Sequence, residues 1–300
     1  MRHTIAPTKS KVSAGLLALV VSCLVGAASL AQAQTAPAVP AGDAATTLPL
    51  MFDARERIAR PDLSEIVRLR ILTTVDFPPF NFADQTGRLS GFNVDLAREI
   101  CTELQLQAKC QIQALPYEDL EKTLESGGGE AVMAGVAVTP ERRSRFLFSR
   151  PYLGIPARFV RNRAATLGGD TAAALAGRPV GVVGGTVHED MLKAFFPEIA
   201  AKPFDTDAAM LEALKKGEVD AVFGDGLRLP FWIAGEASGQ CCALFDGPYL
   251  SQKYLGEGLS VMIRKNDPTL VVAFDHALSE LSRSGRLQDI YLRYFPNGLY

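Results

Sequence analysis

The stretch Glu130 to Ser149, EAVMAGVAVTPERRSRFLFS, leaves the chain little freedom in how it folds locally. Its run from Ala131 to Val138 is apolar and rich in valine, too short for a free-standing helix, and reads as a strand buried on both faces. Thr139 then offers a side-chain oxygen as N-cap, Pro140 suits the first helical position, and Glu141 favours the positive end of a helix dipole. Arg142 falls on that first turn. A guanidinium beside unpaired backbone N–H groups is a receptor for a carboxylate or phosphate, because its fork donates two charge-assisted hydrogen bonds in one plane. The plainer reading is an exposed helix arginine, one of three with Arg143 and Arg145.

A strand buried on both faces needs parallel neighbours and helices above and below, and the flanking sequence supplies them. Leu69 to Thr74 reads as a strand ending in Val75-Asp76-Phe77-Pro78-Pro79-Phe80, where two prolines force an extended loop that presents aromatic rings. Val94 to Leu106 has apolar residues at near-helical spacing, a strand follows near Gln111 to Ala114, and Tyr117 to Ser126 is a second helix closed by Gly127-Gly128-Gly129. The pattern then restarts. Pro179 to Val183 reads as a strand, Gly184-Gly185-Thr186 as a turn, Val187 to Phe196 and Ala208 to Lys216 as helices, and Val219 to Phe223 as a strand running into Gly224-Asp225-Gly226. Leu259 to Arg264 is a further strand, and Leu270 to Ser284 and Leu287 to Tyr294 are closing helices. Alternating strands and helices predict parallel βαβ units, with ligands beyond the carboxyl ends of the strands.

The first residues read differently. Arg2, Lys9 and Lys11 precede the apolar run Ala14 to Leu30, and Ala31-Gln32-Ala33 suits a signal peptidase, so residues 1–33 read as a cleavable signal peptide. Cys23 loosely resembles a lipoprotein cysteine, but apolar residues continue past it. Residues 34–67 read as a flexible leader, low in charge to residue 49, with Met51 to Val67 able to dock on the body as a short helix. Without residues 1–33 the chain holds 28 Lys+Arg against 33 Asp+Glu, a net charge of −5, which argues against a general nucleic-acid binder. Export permits disulfides, and Cys101, Cys110, Cys241 and Cys242 remain. Cys101 at a helix end and Cys110 entering the next strand suit a short local loop. A direct Cys241–Cys242 bond needs a strained eight-membered ring, so reduced thiols or other pairings stay open there. Only His188 and His276 survive cleavage, and neither stands at zinc-ligand spacing from a cysteine pair. No metal or other cofactor is expected.

Six blocks in order carry a resemblance: LRILTTVDFPPFNF, GRLSGFNVDLAREI, EAVMAGVAVTPERRSRFLFSRPY, GRPVGVVGGTVHEDML, EALKKGEVDAVFGD and KYLGEGLSVMIRKNDPTL. From about Leu69 to Phe295 the chain resembles the family 3 periplasmic solute-binding proteins, the receptors of polar amino-acid ABC importers. The resemblance implies an α/β, two-lobed periplasmic-binding-protein-like fold of type II, each lobe a mostly parallel sheet flanked by helices. Residues 68–160 and 252–300 would form lobe 1 and residues 161–251 lobe 2, with hinge segments near Arg158 to Arg163 and Asp246 to Lys253. It further implies a periplasmic monomer that takes a small amino acid or related carboxylate and delivers it to an ABC permease in the inner membrane.

Site roles carry over where residues match. Arg142 stands where the family's arginine binds the ligand α-carboxylate, and Asp225 where a carboxylate takes the α-ammonium. Phe77 and Tyr117 match the aromatic pair around the ligand side chain. Ala134, Gly135 and Ala137 match a turn whose backbone approaches the ligand, and Thr186 with Val187 match the second lobe's helix N-terminus. His188 stands at a pocket-facing position of some relatives. The departures matter as well. Ala137 and Val187 each lack a hydroxyl found in the family, and Thr74 replaces an aspartate of receptors for basic amino acids, pointing to a non-basic ligand. An alternative is an enzyme on the same scaffold, resembling cyclohexadienyl dehydratases, which needs a pocket acid for proton transfer. Asp225 is the one candidate for that acid, and the amine already claims it. A sensor acting in trans on a membrane partner is a third reading.

Overall fold

Two five-stranded sheets carry the molecule, each with its own layer of helices. The structure is a computed structural model that describes residues 48, 51–53, 55–296 and 298–300. The expected signal peptide, Cys23 and residues 34–47 lie outside the described residues.

In the first sheet β1 (Leu69–Thr73) is flanked by β5 (Cys110–Ala114) and β6 (Ala131–Val132), both parallel to it. β13 (Met262–Arg264) then runs antiparallel to β6 and to the edge strand β7 (Phe146–Phe148). The second sheet repeats the plan. β9 (Pro179–Val183) lies parallel to β10 (Ala200–Phe204) and β11 (Ala221–Asp225), while β8 (Ala157–Asn162) runs antiparallel between β11 and β12 (Cys242–Leu244). Each sheet is therefore mixed. Its parallel half is the part that the βαβ pattern predicts. A small antiparallel ribbon, β2 (Asp76–Phe77), β3 (Asn81–Ala83) and β4 (Leu89–Ser90), follows the first strand.

Helix boundaries follow local chemistry. α1 (Phe92–Glu103) buries Phe92, Leu96 and Ile100 on one face. α2 (Leu120–Glu125) buries Leu120 and Leu124, and α3 (Pro140–Arg145) starts where Thr139 accepts from the Arg142 amide. In the second lobe α4 (Val187–Phe195) is capped by Thr186, and α5 (Asp207–Lys216) is capped by Thr206 and ended by left-handed Gly217. α6 (Arg228–Ala234) and α7 (Gln252–Leu255) are short. α8 (Pro268–Arg283) and α9 (Arg286–Tyr294) close the first lobe, burying Phe274, Leu278 and Tyr291. Phe80, Phe92 and Phe295 meet in that core, with Phe80 and Phe295 ring centroids 5.5 Å apart. Each such buried ring contributes about 2–3 kcal/mol by leaving water.

Three sequence expectations change. Residues 48–67 are not a free leader: Leu48, Phe52 and Leu63 are buried in the first-lobe core. Among its described residues the segment forms no helix, and it is pinned by hydrogen bonds. Arg60 donates to the Leu104 carbonyl at 2.6 Å, His276 Nδ1 lies 2.6 Å from the Ile58 carbonyl, and Arg150 grips Glu56 at 2.5 and 2.8 Å. Scattered apolar anchors without helical period explain both the docking and the missing helix. The lobe boundaries also move. Ala157 to Asn162 already belongs to the second sheet, and Tyr254 and Leu255 pack on the second-lobe core. The crossings between lobes pair antiparallel at Leu153 with Leu259 and Ala157 with Tyr249. Third, the strand read over Ala131 to Val138 is a ladder of two residues. Beyond Met133, Gly135 takes φ 72° and turns the chain away.

Cys101 and Cys110 form a disulfide with Cα atoms 6.2 Å apart, joining α1 to β5. Cys241 and Cys242 bond to one another with Cα atoms 3.7 Å apart, closing the ring that the sequence left open. Among the described residues no helix is long and apolar enough to cross a membrane.

Candidate functional site

The expected site residues follow the carboxyl ends of parallel strands in both lobes, and one cavity brings two of them together, Phe77 and Asp225; Arg142, Tyr117, Ala134, Gly135, Ala137, Thr186, Val187 and His188 are not among its lining residues. From the first lobe, β1 runs out through Thr73 and Thr74 to Phe77, and β6 runs out to Ala134 and Gly135. From the second, β9 leads to Gly185 and Thr186 and β11 ends on Asp225. Phe77, Pro78 and Pro79 share a cavity of about 600 Å³ with Asp225, Phe231 and Trp232, so the two lobes line one space.

The first-lobe wall is built around Gly135. A Cβ there would lie 2.7 Å from Phe77 Cε1, and φ is +72°, so only glycine allows the ring to close over the turn. Phe77 stacks on Phe80 with centroids 4.8 Å apart, which fixes the ring at the cleft edge. Ala134 is buried and Ala137 exposed. Tyr117 is 45% exposed, with its hydroxyl beside the Arg142 guanidinium.

Arg142 is held from two sides. Its Nε donates to Glu121 Oε1 at 2.8 Å and its Nη1 to the Ala137 carbonyl at 3.2 Å. The Glu121 carboxylate, through that hydrogen bond and its charge, holds the Arg142 guanidinium above its ordinary range, with a smaller contribution from Tyr117. Arg142 in turn lowers the Glu121 carboxyl, and Arg145 adds to it at 2.7 Å. Glu121 escapes a reading based on single positions. Its signal is its place four residues after Tyr117, on the same helical face.

In the second lobe Thr186 Oγ1 accepts from the Glu189 amide at 3.4 Å, and Glu189 reaches back to the Gly185 amide at 2.7 Å. This capping box leaves the Val187 and His188 amides as the open donors of the first turn. Val187 is 48% exposed and brings no hydroxyl. Burial lowers His188 below the usual histidine value, opposed by the nearby charges of Asp225 and Asp207. The His188 ring lies against Phe223 of β11, with centroids 6.5 Å apart. Asp225 Oδ1 accepts from the Leu227 and Arg228 amides at 2.7 and 3.2 Å, the turn role that competes with ligand binding. Oδ2 makes no hydrogen bond among the described residues, so the carboxylate is oriented by one oxygen and open at the other.

Thr74 is set back in the wall. It is 2% exposed, and its Oγ1 accepts from Asn81 Nδ2 at 2.6 Å. Asn81 accepts from Asn93 at 2.9 Å, and Tyr152 donates to Asn93 at 2.9 Å. Thr74, Asn81, Asn93 and Tyr152 thus form a buried polar chain in the first-lobe wall. The apolar wall formed by Phe231 and Trp232 was not visible in the sequence, because α6 lacks a strong period and starts without a side-chain cap.

Arg142 stands on the first lobe and Asp225 on the second, and the aromatic rings of Phe77, Phe231 and Trp232 line the cavity beside Asp225. Residues 69–297 match the bacterial extracellular solute-binding proteins, family 3. The chain is 31% identical to a putative ABC transporter arginine-binding protein 2 of Escherichia coli, over 76% of this chain and 90% of that protein. It is 28% identical to the L-cystine-binding protein TcyJ of Escherichia coli, over 73% of this chain and 79% of that protein. In fold it is similar to the L-cystine solute receptor of Neisseria gonorrhoeae in its unliganded open conformation, with a TM-score of 0.65 at 20% identity, over 78% of this chain and 94% of that one. The two-lobed architecture, the cleft at the strand ends and the match over nearly all described residues agree: this chain belongs to the family 3 bacterial extracellular solute-binding proteins.

Proposed function

We propose that the chain is the periplasmic receptor of an ABC importer, exported by a cleaved signal peptide, which closes its two lobes around one small carboxylated solute and presents it to a permease. The observation that carries this reading is the division of charge, with Arg142 on the first lobe and the open oxygen of Asp225 on the second. A zwitterion satisfies both only when the lobes close, so closure and binding are one event. Arg142 takes the carboxylate, with the Val187 and His188 amides completing its shell. Asp225 takes the ammonium, and Phe77 and Tyr117 enclose the side chain.

The ligand that fits best is a non-basic amino acid. Relatives are named for arginine and for cystine, so the relatives alone leave the side chain open. Thr74 supports the choice, since its hydroxyl is engaged by Asn81 and supplies no charge to a distal ammonium or guanidinium. Native mass spectrometry of the protein as purified tests the reading. A bound species with the mass of a neutral or acidic amino acid is expected, and arginine or lysine in that place would overturn the non-basic assignment.

A further inference from the structure

Away from the cleft, a second cavity of about 540 Å³ has one half of a disulfide, the half-buried Cys241, among its lining residues. Cys241 lines it together with Arg163, Lys215, Lys216 and Asp220. Cys242 is fully buried behind, packed with Val160, Met210 and Leu214. The cavity wall is cationic. Asp220, its one acid, is already bound by Arg178 at 2.9 Å. Arg163 spends only Nε, on the Cys242 carbonyl at 3.0 Å. Lys215 donates to the Ala237 carbonyl at 2.9 Å, a neutral partner, and Lys216 shares an exposed pair with Glu212 at 3.4 Å. The two cysteines thus differ in exposure, and the half-buried one, Cys241, borders the cationic cavity.

We propose that Cys241–Cys242 is a thiol-exchange site for small anionic thiols, entered through this cavity. A disulfide sulfur is attacked by a thiolate, and a cationic wall concentrates thiolates and the carboxylates attached to them. The incoming sulfur bonds to Cys241 Sγ, the Cys241–Cys242 bond breaks, and its electron pair leaves on Cys242 Sγ, which takes a proton. A second thiolate attacks the outer sulfur of the mixed disulfide and releases the Cys241 thiolate. In sum two small thiols are oxidised to their disulfide and the protein disulfide is reduced to two thiols. The Cys101–Cys110 bond is the internal reference. It borders a cavity with one cation, Arg98, which Asp95 neutralises at 2.8 Å.

The test exposes the mature protein to mercaptosuccinate, a dicarboxylate, and to cysteamine, a cation, at matched thiolate concentrations. Alkylation and peptide mass mapping then follow each bond. Opening of Cys241–Cys242 is expected to be roughly tenfold faster with mercaptosuccinate, with the ratio falling toward one in 1 M salt or in Lys215→Glu, and with no such ratio at Cys101–Cys110. Equal rates for the two thiols, or a preference for cysteamine, would overturn the proposal. In Cys242→Ser the single thiol at Cys241 is expected to react faster with dianionic dithiobis(nitrobenzoate) than with neutral dithiodipyridine, relative to a small free thiol. The reverse order would count against the cationic site independently of how the ring opens.

Discussion

Arg142 and Glu121 show how one residue sets the work of another. The Glu121 carboxylate accepts from Arg142 Nε while the Ala137 carbonyl accepts from Nη1, and the two bonds fix the guanidinium plane. Losing the carboxylate costs orientation and leaves the charge of Arg142 intact. Glu121→Ala is expected to weaken ligand binding by about 3- to 30-fold, the loss of one charge-assisted hydrogen bond's worth of positioning, and Glu121→Gln to recover most of it. Calorimetry on both variants checks this, and equal losses would mean that the charge, not the orientation, matters. On the other lobe His188 reports on Asp225. Burial is the first cause of its lowered value and Asp225 opposes it, so Asp225→Asn is expected to lower the His188 midpoint further in an NMR titration. The sign for stability follows from the same fact. Folding favours neutral His188, so its contribution is complete above the unfolded value and is lost as pH falls below it.

At the scale of elements, the strap from Met51 to Val67 docks on the body as the sequence allowed, but without the helix read for it. Its anchors Phe52 and Leu63 are spaced to fit a groove on the first lobe rather than to form a helix. Phe52→Ala is expected to destabilise the protein by about 3 kcal/mol, read as a lower urea midpoint with ligand affinity unchanged, because the groove lies in the first-lobe core and away from the cleft. The regular elements were legible where local chemistry speaks alone. Thr139-Pro140 starts α3, Thr186 caps α4 and Gly217 ends α5. The elements that depend on distant partners were not. β8, β12 and the short ladder of β6 owe their pairing to strands far away in the chain, and nothing in Ala157 to Asn162 says which sheet it joins.

For the whole molecule, the order of blocks along the chain carried the two-lobed fold, and residues at strand ends carried the cleft. What the sequence concealed was the state of the groups within it: Arg142 tied to Glu121, Asp225 engaged through one oxygen, Thr74 closed into a chain with Asn81. The Arg142–Glu121 and Thr74–Asn81 pairs join residues 21 and 7 positions apart, which spacing alone does not disclose, whereas the Asp225 bonds to the Leu227 and Arg228 amides are a local turn pattern. These pairings also define the central claim, that a cation and an anion on separate lobes jointly select a small zwitterion. Titrating the mature protein with a panel of amino acids in a calorimeter, beside Arg142→Ala, tests it most directly. One tight non-basic ligand is predicted, with binding weakened about 100-fold or more in the variant, from two charge-assisted hydrogen bonds lost. Silence across the panel, or equal binding by Arg142→Ala, would contradict the account.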